Sequence, residues 1–155
     1  MKKIKIKICG QTNPSIIEHC LKIGVNQQGL IFYDKSPRNL DNDTLKIINN
    51  YFQQYQDMFV GVFVNPSLEL IEEKLKIYNF KTIQLHGNEN QEMIDKIKLN
   101  YKKNIYKSIS PENFRKVQLR NVDRFLIEAK PNNEDQPGGN NKIWDWSKFH
   151  NPLNN

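Results

Sequence analysis

Alanine is almost missing from this chain: Ala129 is the only one in 155 residues. Apolar residues make up 37% of the sequence and mean hydropathy is -0.73. No run approaches the ~20 apolar residues that a membrane span needs. The basic start, MKKIKIKICG, has no apolar stretch behind it; Lys and Ile alternate instead, so it reads as a strand and not as a signal peptide. Cysteine is scarce too. Cys9 and Cys20 are too few for a disulfide scaffold at this size. There is no Cys-x-x-Cys, and His19, His86 and His150 lie far apart without metal-type spacing, which argues against a zinc site. Walker and G-x-G-x-x-G motifs are absent, so no cofactor signature is present. A cytoplasmic protein without membrane contact is the expectation.

The net charge of +6 admits a nucleic-acid surface. However, the lysines are scattered through every segment and form no block with interleaved aromatics. Attraction of an anionic small molecule fits the charge equally well, and no nucleic-acid partner is expected.

What the chain does have is a repeated build. Strand-like runs recur at 3–9, 29–33, 58–64, 82–86, 104–109 and 124–130. Helical patterns lie between them. Asn13-Pro14 opens the first, with Asn13 as N-cap, and Gly24 stops it. The second spans 41–55, Asn65-Pro66 opens the third, Glu89–Leu99 is the fourth, and a short fifth covers 111–119. Alternation at a period of roughly 25 residues predicts βα units on a parallel sheet. The expected fold is α/β, a parallel (β/α) TIM-type barrel with about six of its eight units in residues 1–155, one domain incomplete at its C-terminal end.

Parity within the strands locates a site. Ile4, Ile6 and Ile8 share one face of the first strand and should meet the helix ring; Lys5, Lys7 and Cys9 share the other and should point into the barrel. Gln84 pairs with His86 in the same way, and Glu128 with Leu126 and Lys130. Each candidate also has a plainer reading. Cys9 could be a small core residue, yet it stands among lysines, whose charge favours a reactive thiolate. Arg38, in Lys35-Ser36-Pro37-Arg38, could be a solvated loop residue or a fork for a carboxylate. His86 could be structural, but with Gln84 it makes two polar groups on one inward face. Glu128 could simply pair with Lys130, or do chemistry. Cys20 sits at core spacing on a helix. Gly138-Gly139, in the irregular stretch 131–142, is weak evidence for a hinge or phosphate cradle.

Five segments, KICG, IFYDKSPR, VGVFVN, QLHGNE and PGGNNKIWDW, closely resemble phosphoribosylanthranilate isomerase in content and in order, almost from end to end. The resemblance implies a cofactor-free (β/α)₈ barrel of tryptophan biosynthesis. Its reaction is the Amadori rearrangement of N-(5-phosphoribosyl)anthranilate to a carboxyphenylamino-deoxyribulose phosphate. It further implies Glu128 as general acid, Cys9 as base, Arg38 on the anthranilate moiety, and Gln84 and His86 at the sugar. The PGG loop would fold over a phosphorylated small-molecule substrate, and neighbouring pathway enzymes are possible partners. Two departures from the family stand out. The family acid is normally aspartate, and a glutamate carries its carboxyl roughly 1.5 Å farther. The family's last two units, with the glycine-rich turns that hold phosphate, are expected beyond Asn155, so residues 1–155 alone are expected to be inactive. Competing readings are another sugar-phosphate epimerase or synthase, a non-catalytic barrel remnant that acts through a binding partner, and a basic nucleic-acid module.

Overall fold

The computed structural model describes residues 4–114 and 116–129. Six strands, all parallel and paired in sequential order, build one sheet: β1 (Lys7–Cys9), β2 (Gln27–Phe32), β3 (Phe59–Phe63), β4 (Thr82–Leu85), β5 (Asn104–Ile109) and β6 (Arg124–Ile127). The connections carry helices α1 (Pro14–Lys22), α2 (Asn42–Phe52), α3 (Leu68–Ile77), α4 (Gln91–Tyr101) and α5 (Pro111–Phe114). These are six consecutive units of a TIM-type barrel, curled into a half-barrel, as the alternation predicted. None of the described helices is long and apolar enough to cross a membrane.

Helix starts follow side-chain capping. Asn13 Oδ1 accepts from Ser15 N at 2.8 Å with Pro14 in the first turn, as expected. Asp41 caps α2 through Thr44 N at 2.7 Å, and α2 gives way to a 3-10 turn over Gln53–Met58 where one continuous helix was expected. Two starts require correction. Asn65-Pro66 does not open α3: Asn65 is left-handed at φ 46°, and Ser67 is the cap. Glu89 lies outside α4, whose cap is Asn90. Both helices thus begin two residues later than the pattern suggested, because the residues after β3 and β4 are engaged elsewhere.

Glu89 and Lys107 are what engage them. Lys107 projects from β5, and its Nζ meets Glu89 Oε2 at 3.0 Å and the Gly87 carbonyl at 2.7 Å. Glu89 Oε1 accepts from Asn65 N at 2.9 Å and from Gly87 N at 3.0 Å. Asn65 Oδ1 accepts from Asn88 N at 2.7 Å. The two charged side chains are only 6% and 1% exposed. One buried ion pair therefore joins the segments that leave β3 and β4 to β5.

The outer sheet face carries the core. Leu30, Phe32, Phe59, Phe63, Ile83 and Ile105 pack with Ile17, Leu45, Ile48, Ile71, Ile94 and Ile97 of the helices. Aromatic rings run through it: Phe32 lies 5.1 Å from Phe63, and Tyr78 lies 5.0 Å from Phe80. The buried Tyr78 hydroxyl donates to the Phe52 carbonyl at 2.8 Å, and burial pushes its phenol well above the ordinary value. Ile8 pairs in register with Gln28, whose amide donates to the Ile17 carbonyl, so the isoleucine face of β1 is the helix-side face. The packing expected of that row is not found. Ile4, Ile6 and Ile8 are 83%, 54% and 38% exposed, because β1 is an edge strand of the described sheet and α1 covers β2 beside it.

Removing one partner of the buried pair strands the other charge. Lys107→Met is expected to cost about 3–5 kcal/mol in chemical denaturation. Lys107→Met combined with Glu89→Gln should recover part of that loss. Equal, additive losses would show that the ion pair contributes no coupling.

Candidate active site

The inner face of the half-barrel is set by register. Cys9 pairs with Gly29 and Gly29 with Val60; Gln84 pairs with Tyr106, and Ser108 with Leu126. Paired residues of parallel strands point the same way, so these side chains share the concave side. The fit at Gly29 confirms it for Cys9. A Cβ at position 29 would stand 2.6 Å from Cys9 Sγ and 3.0 Å from Lys7 Nζ. Glycine leaves the space that the thiol occupies. Cys9 is half-buried, whereas Cys20 is buried at 4% exposure and receives the Gln11 amide at 3.6 Å, the core role expected of it.

Arg38 comes to Cys9 through the loop after β2. That loop folds back on its own strand: Asn39 Oδ1 accepts from Tyr33 N at 2.8 Å, and Leu40 N donates to the Ile31 carbonyl at 2.8 Å. Ser36 Oγ accepts from Arg38 N at 3.2 Å. The guanidinium then reaches across β1, where Nη1 donates to the Cys9 carbonyl at 2.8 Å. It lies on Gly10, whose φ is +85° and whose added Cβ would be 2.4 Å from Nη1. Gly10 serves twice: it supplies a turn that L side chains rarely adopt, and a flat seat for an exposed arginine.

The second cluster spans β4, β5 and β6. The Gln84 side-chain amide nitrogen lies 3.2 Å from Ser108 Oγ and 3.2 Å from His86 Nδ1. The other ring nitrogen, Nε2, meets Glu128 Oε1 as an ion-pair contact without an aligned hydrogen bond. Glu128 follows β6, tied by its N–H to the Ile109 carbonyl at 3.2 Å. Gln84 is 2% exposed, and among the described residues its Oε1 accepts no hydrogen bond. Lys130, the alternative partner weighed for Glu128, lies outside the described residues, as do Gly138 and Gly139.

All five sequence candidates therefore stand at or just after the C-terminal ends of strands, in two groups: Cys9 with Arg38, and Gln84 and His86 with Glu128. Sequence reasoning missed Ser108, a small polar residue in β5. Its signal was parity: Ser108 shares the inward face with Tyr106. A cavity of about 460 Å³ lies nearer the N-terminal end of the same face, lined by Lys7, Gln27, Tyr106 and Arg124 among others. None of the five candidates lines it.

The family model for N-(5'phosphoribosyl)anthranilate (PRA) isomerase matches residues 6–154. The chain belongs to this family. A curated relative of that name from Desulfatibacillum aliphaticivorans is 34% identical over 146 residues, covering 92% of this chain and 65% of its own. One from Rhizobium rhizogenes is 33% identical over 148 residues, covering 92% and 66%. The crystal structure of the Thermotoga maritima phosphoribosyl anthranilate isomerase superposes with a TM-score of 0.73 at 26% identity, over 84% of this chain and 64% of that one. A phosphoribosyl anthranilate isomerase structure in complex with reduced 1-(o-carboxyphenylamino)-1-deoxyribulose 5-phosphate gives 0.72 at 26% identity. The chain spans about two thirds of the length of the relatives it matches.

Exposure orders the two thiols. Cys9 is expected to react with a thiol reagent well before Cys20 in the native chain. Gly29→Ala should change the Cys9 rate alone, at an overpacking cost of about 1–3 kcal/mol. Thiol-release kinetics check both; an unchanged Cys9 rate in Gly29→Ala would refute the seat at Gly29.

Proposed function

We propose that this chain carries the acid–base machinery of an N-(5'-phosphoribosyl)anthranilate isomerase of tryptophan biosynthesis, without a cofactor. The observation that supports it best is the convergence of Arg38 on Cys9 and of His86 on Glu128 at one end of the sheet. The reaction needs an acid, a base and a carboxylate clamp, and the two clusters supply one of each.

Glu128 gives its proton to the furanose ring oxygen. The C1–O bond breaks and C1 becomes a Schiff base with the anthranilate nitrogen. Cys9, as thiolate, takes the proton from C2, leaving an enolamine. The enol hydroxyl proton passes to the Glu128 carboxylate and the Cys9 thiol proton to C1, through solvent, so the ketone results with both groups restored and no net change in atoms or charge. Arg38, adjacent to Cys9, holds the anthranilate carboxylate. His86, with Gln84 buried beside it, lines the sugar site. The longer reach of glutamate, where the family normally has aspartate, brings the carboxylate to His86. The substrate is a phosphorylated small molecule met in the cytoplasm, and enzymes of the same pathway are candidate neighbours.

The test follows loss of phosphoribosylanthranilate fluorescence. It uses the chain extended to its relatives' length with the C-terminal third of the Desulfatibacillum aliphaticivorans enzyme. Cys9→Ser should lower kcat by at least ~10²-fold, and Glu128→Gln by a similar factor, since general acid–base groups contribute that much. Arg38→Met should act mainly on KM. Turnover that survives Cys9→Ser would sink the assignment.

A further inference from the structure

Two polar groups on the inner face have more to explain than a substrate contact would require. The first is the Gln84 amide, buried to 2% exposure, with its nitrogen shared between Ser108 and His86 and its oxygen without a partner. The second is His86, which faces the Gln84 amide nitrogen at Nδ1 and touches Glu128 Oε1 at Nε2 without an aligned hydrogen bond.

We propose that Ser108 and Gln84 are positioning residues that fix the tautomer of His86, and that His86 thereby decides which oxygen of Glu128 delivers the proton. The inference rests on the isomerase reading for its chemistry, though not for its geometry.

An ionised carboxylate only accepts hydrogen bonds, so its contact with Nε2 calls for a proton on Nε2. A neutral ring with that proton has a bare Nδ1, which only accepts. The group facing Nδ1 must then donate, and it is the Gln84 amide nitrogen. The second hydrogen of that nitrogen goes to Ser108 Oγ. Both donors are thus used, and Oε1 is left without a partner among the described residues. The opposite orientation would turn the carbonyl to Nδ1, move the ring proton there and leave Nε2 bare.

The consequence lies in how a carboxylic acid is built. Protonated, it has one hydroxyl oxygen, which donates, and one carbonyl oxygen, which accepts. With a proton on Nε2, His86 needs an acceptor, so Oε1 is the carbonyl oxygen and the acid proton sits on Oε2, free to face the sugar ring oxygen. With the other tautomer, the hydroxyl would donate to the bare Nε2, and the acid would be turned away from substrate. The other titratable side chains on this face of the described sheet are Lys7 and Cys9 on β1, Lys5 just before it, Tyr106 on β5 and Arg124 on β6.

The ring nitrogens report the arrangement directly. In the uniformly ¹⁵N-labelled chain, the His86 signals, assigned by their loss in His86→Gln, should show a protonated Nε2 and a bare Nδ1. Gln84→Glu keeps the shape but can only accept, so Nδ1 should become protonated. Where turnover is measured, Gln84→Glu should lower kcat at least ~10-fold with KM within about threefold. Ser108→Ala, which touches only the anchor, should lower kcat about two- to tenfold and leave KM unchanged; Ser108→Thr should restore it.

A wild-type ring protonated at Nδ1 with bare Nε2 overturns the proposal. So does wild-type kcat in Gln84→Glu, or an effect of either variant confined to KM, which would make these residues substrate contacts only. Absence of turnover in every form speaks against the isomerase reading instead, and the ring signals, read without substrate, still uphold or overturn the tautomer.

Discussion

A lysine and a glutamate, almost wholly withdrawn from water, meet at 3.0 Å where three strands of the sheet end. Such a pair is costly to bury and is tolerated only when its remaining hydrogen-bonding capacity is met. Here it is met by backbone: the Gly87 carbonyl, the Gly87 and Asn65 amides, and the Ser108 carbonyl. The Gly87 and Ser108 groups belong to segments that carry or adjoin a candidate site residue. His86 precedes Gly87, Gln84 lies in the same strand, and Ser108 follows Lys107. The ion pair on the helix side of the sheet thus sets the frame for the polar cluster on its concave side. The left-handed Asn65 and the late starts of α3 and α4 follow from the same knot.

Much of this was legible in the sequence because the fold writes itself in two periods. Alternation within strands and a 3.6-residue repeat between them gave the parallel order of all six strands, the first helix to its capping Asn13, and the inward direction of Cys9, Gln84 and His86. Arg38 drew notice by its place after a strand, and the burial of Cys20 was legible in its helical spacing. The rest depended on contacts distant in sequence. Glu89 looked like the first turn of a helix, and nothing near it announces Lys107, eighteen residues on. Ser108 is a common small residue whose role appears only once β5 lies beside β4. The isoleucines of β1 were read by parity, which gives a direction but does not say what covers them.

Glu128 is where the expected departure from the family pattern falls. Its side chain is longer than the aspartate expected at that position. In this chain the added reach ends on an imidazole that is itself gripped from behind by a buried amide. A carboxyl on a longer tether has more freedom to lose on ordering. A partner already held by Gln84, which Ser108 anchors in turn, lowers that loss, because only one side chain remains to be placed.

Gly29 has no chemistry of its own, yet it determines where a sulfur atom can be. The thiol of Cys9 fills the volume that any other residue at position 29 would claim for its first side-chain carbon. The two positions are therefore not independent letters of the sequence. In a survey of substitutions, position 29 should be intolerant by a measure of function well beyond what a measure of folding records, and a cysteine-free form of the chain should accept alanine there more readily. The hydrogen atom on one α-carbon of β2 is, in effect, part of the setting of a thiol on β1.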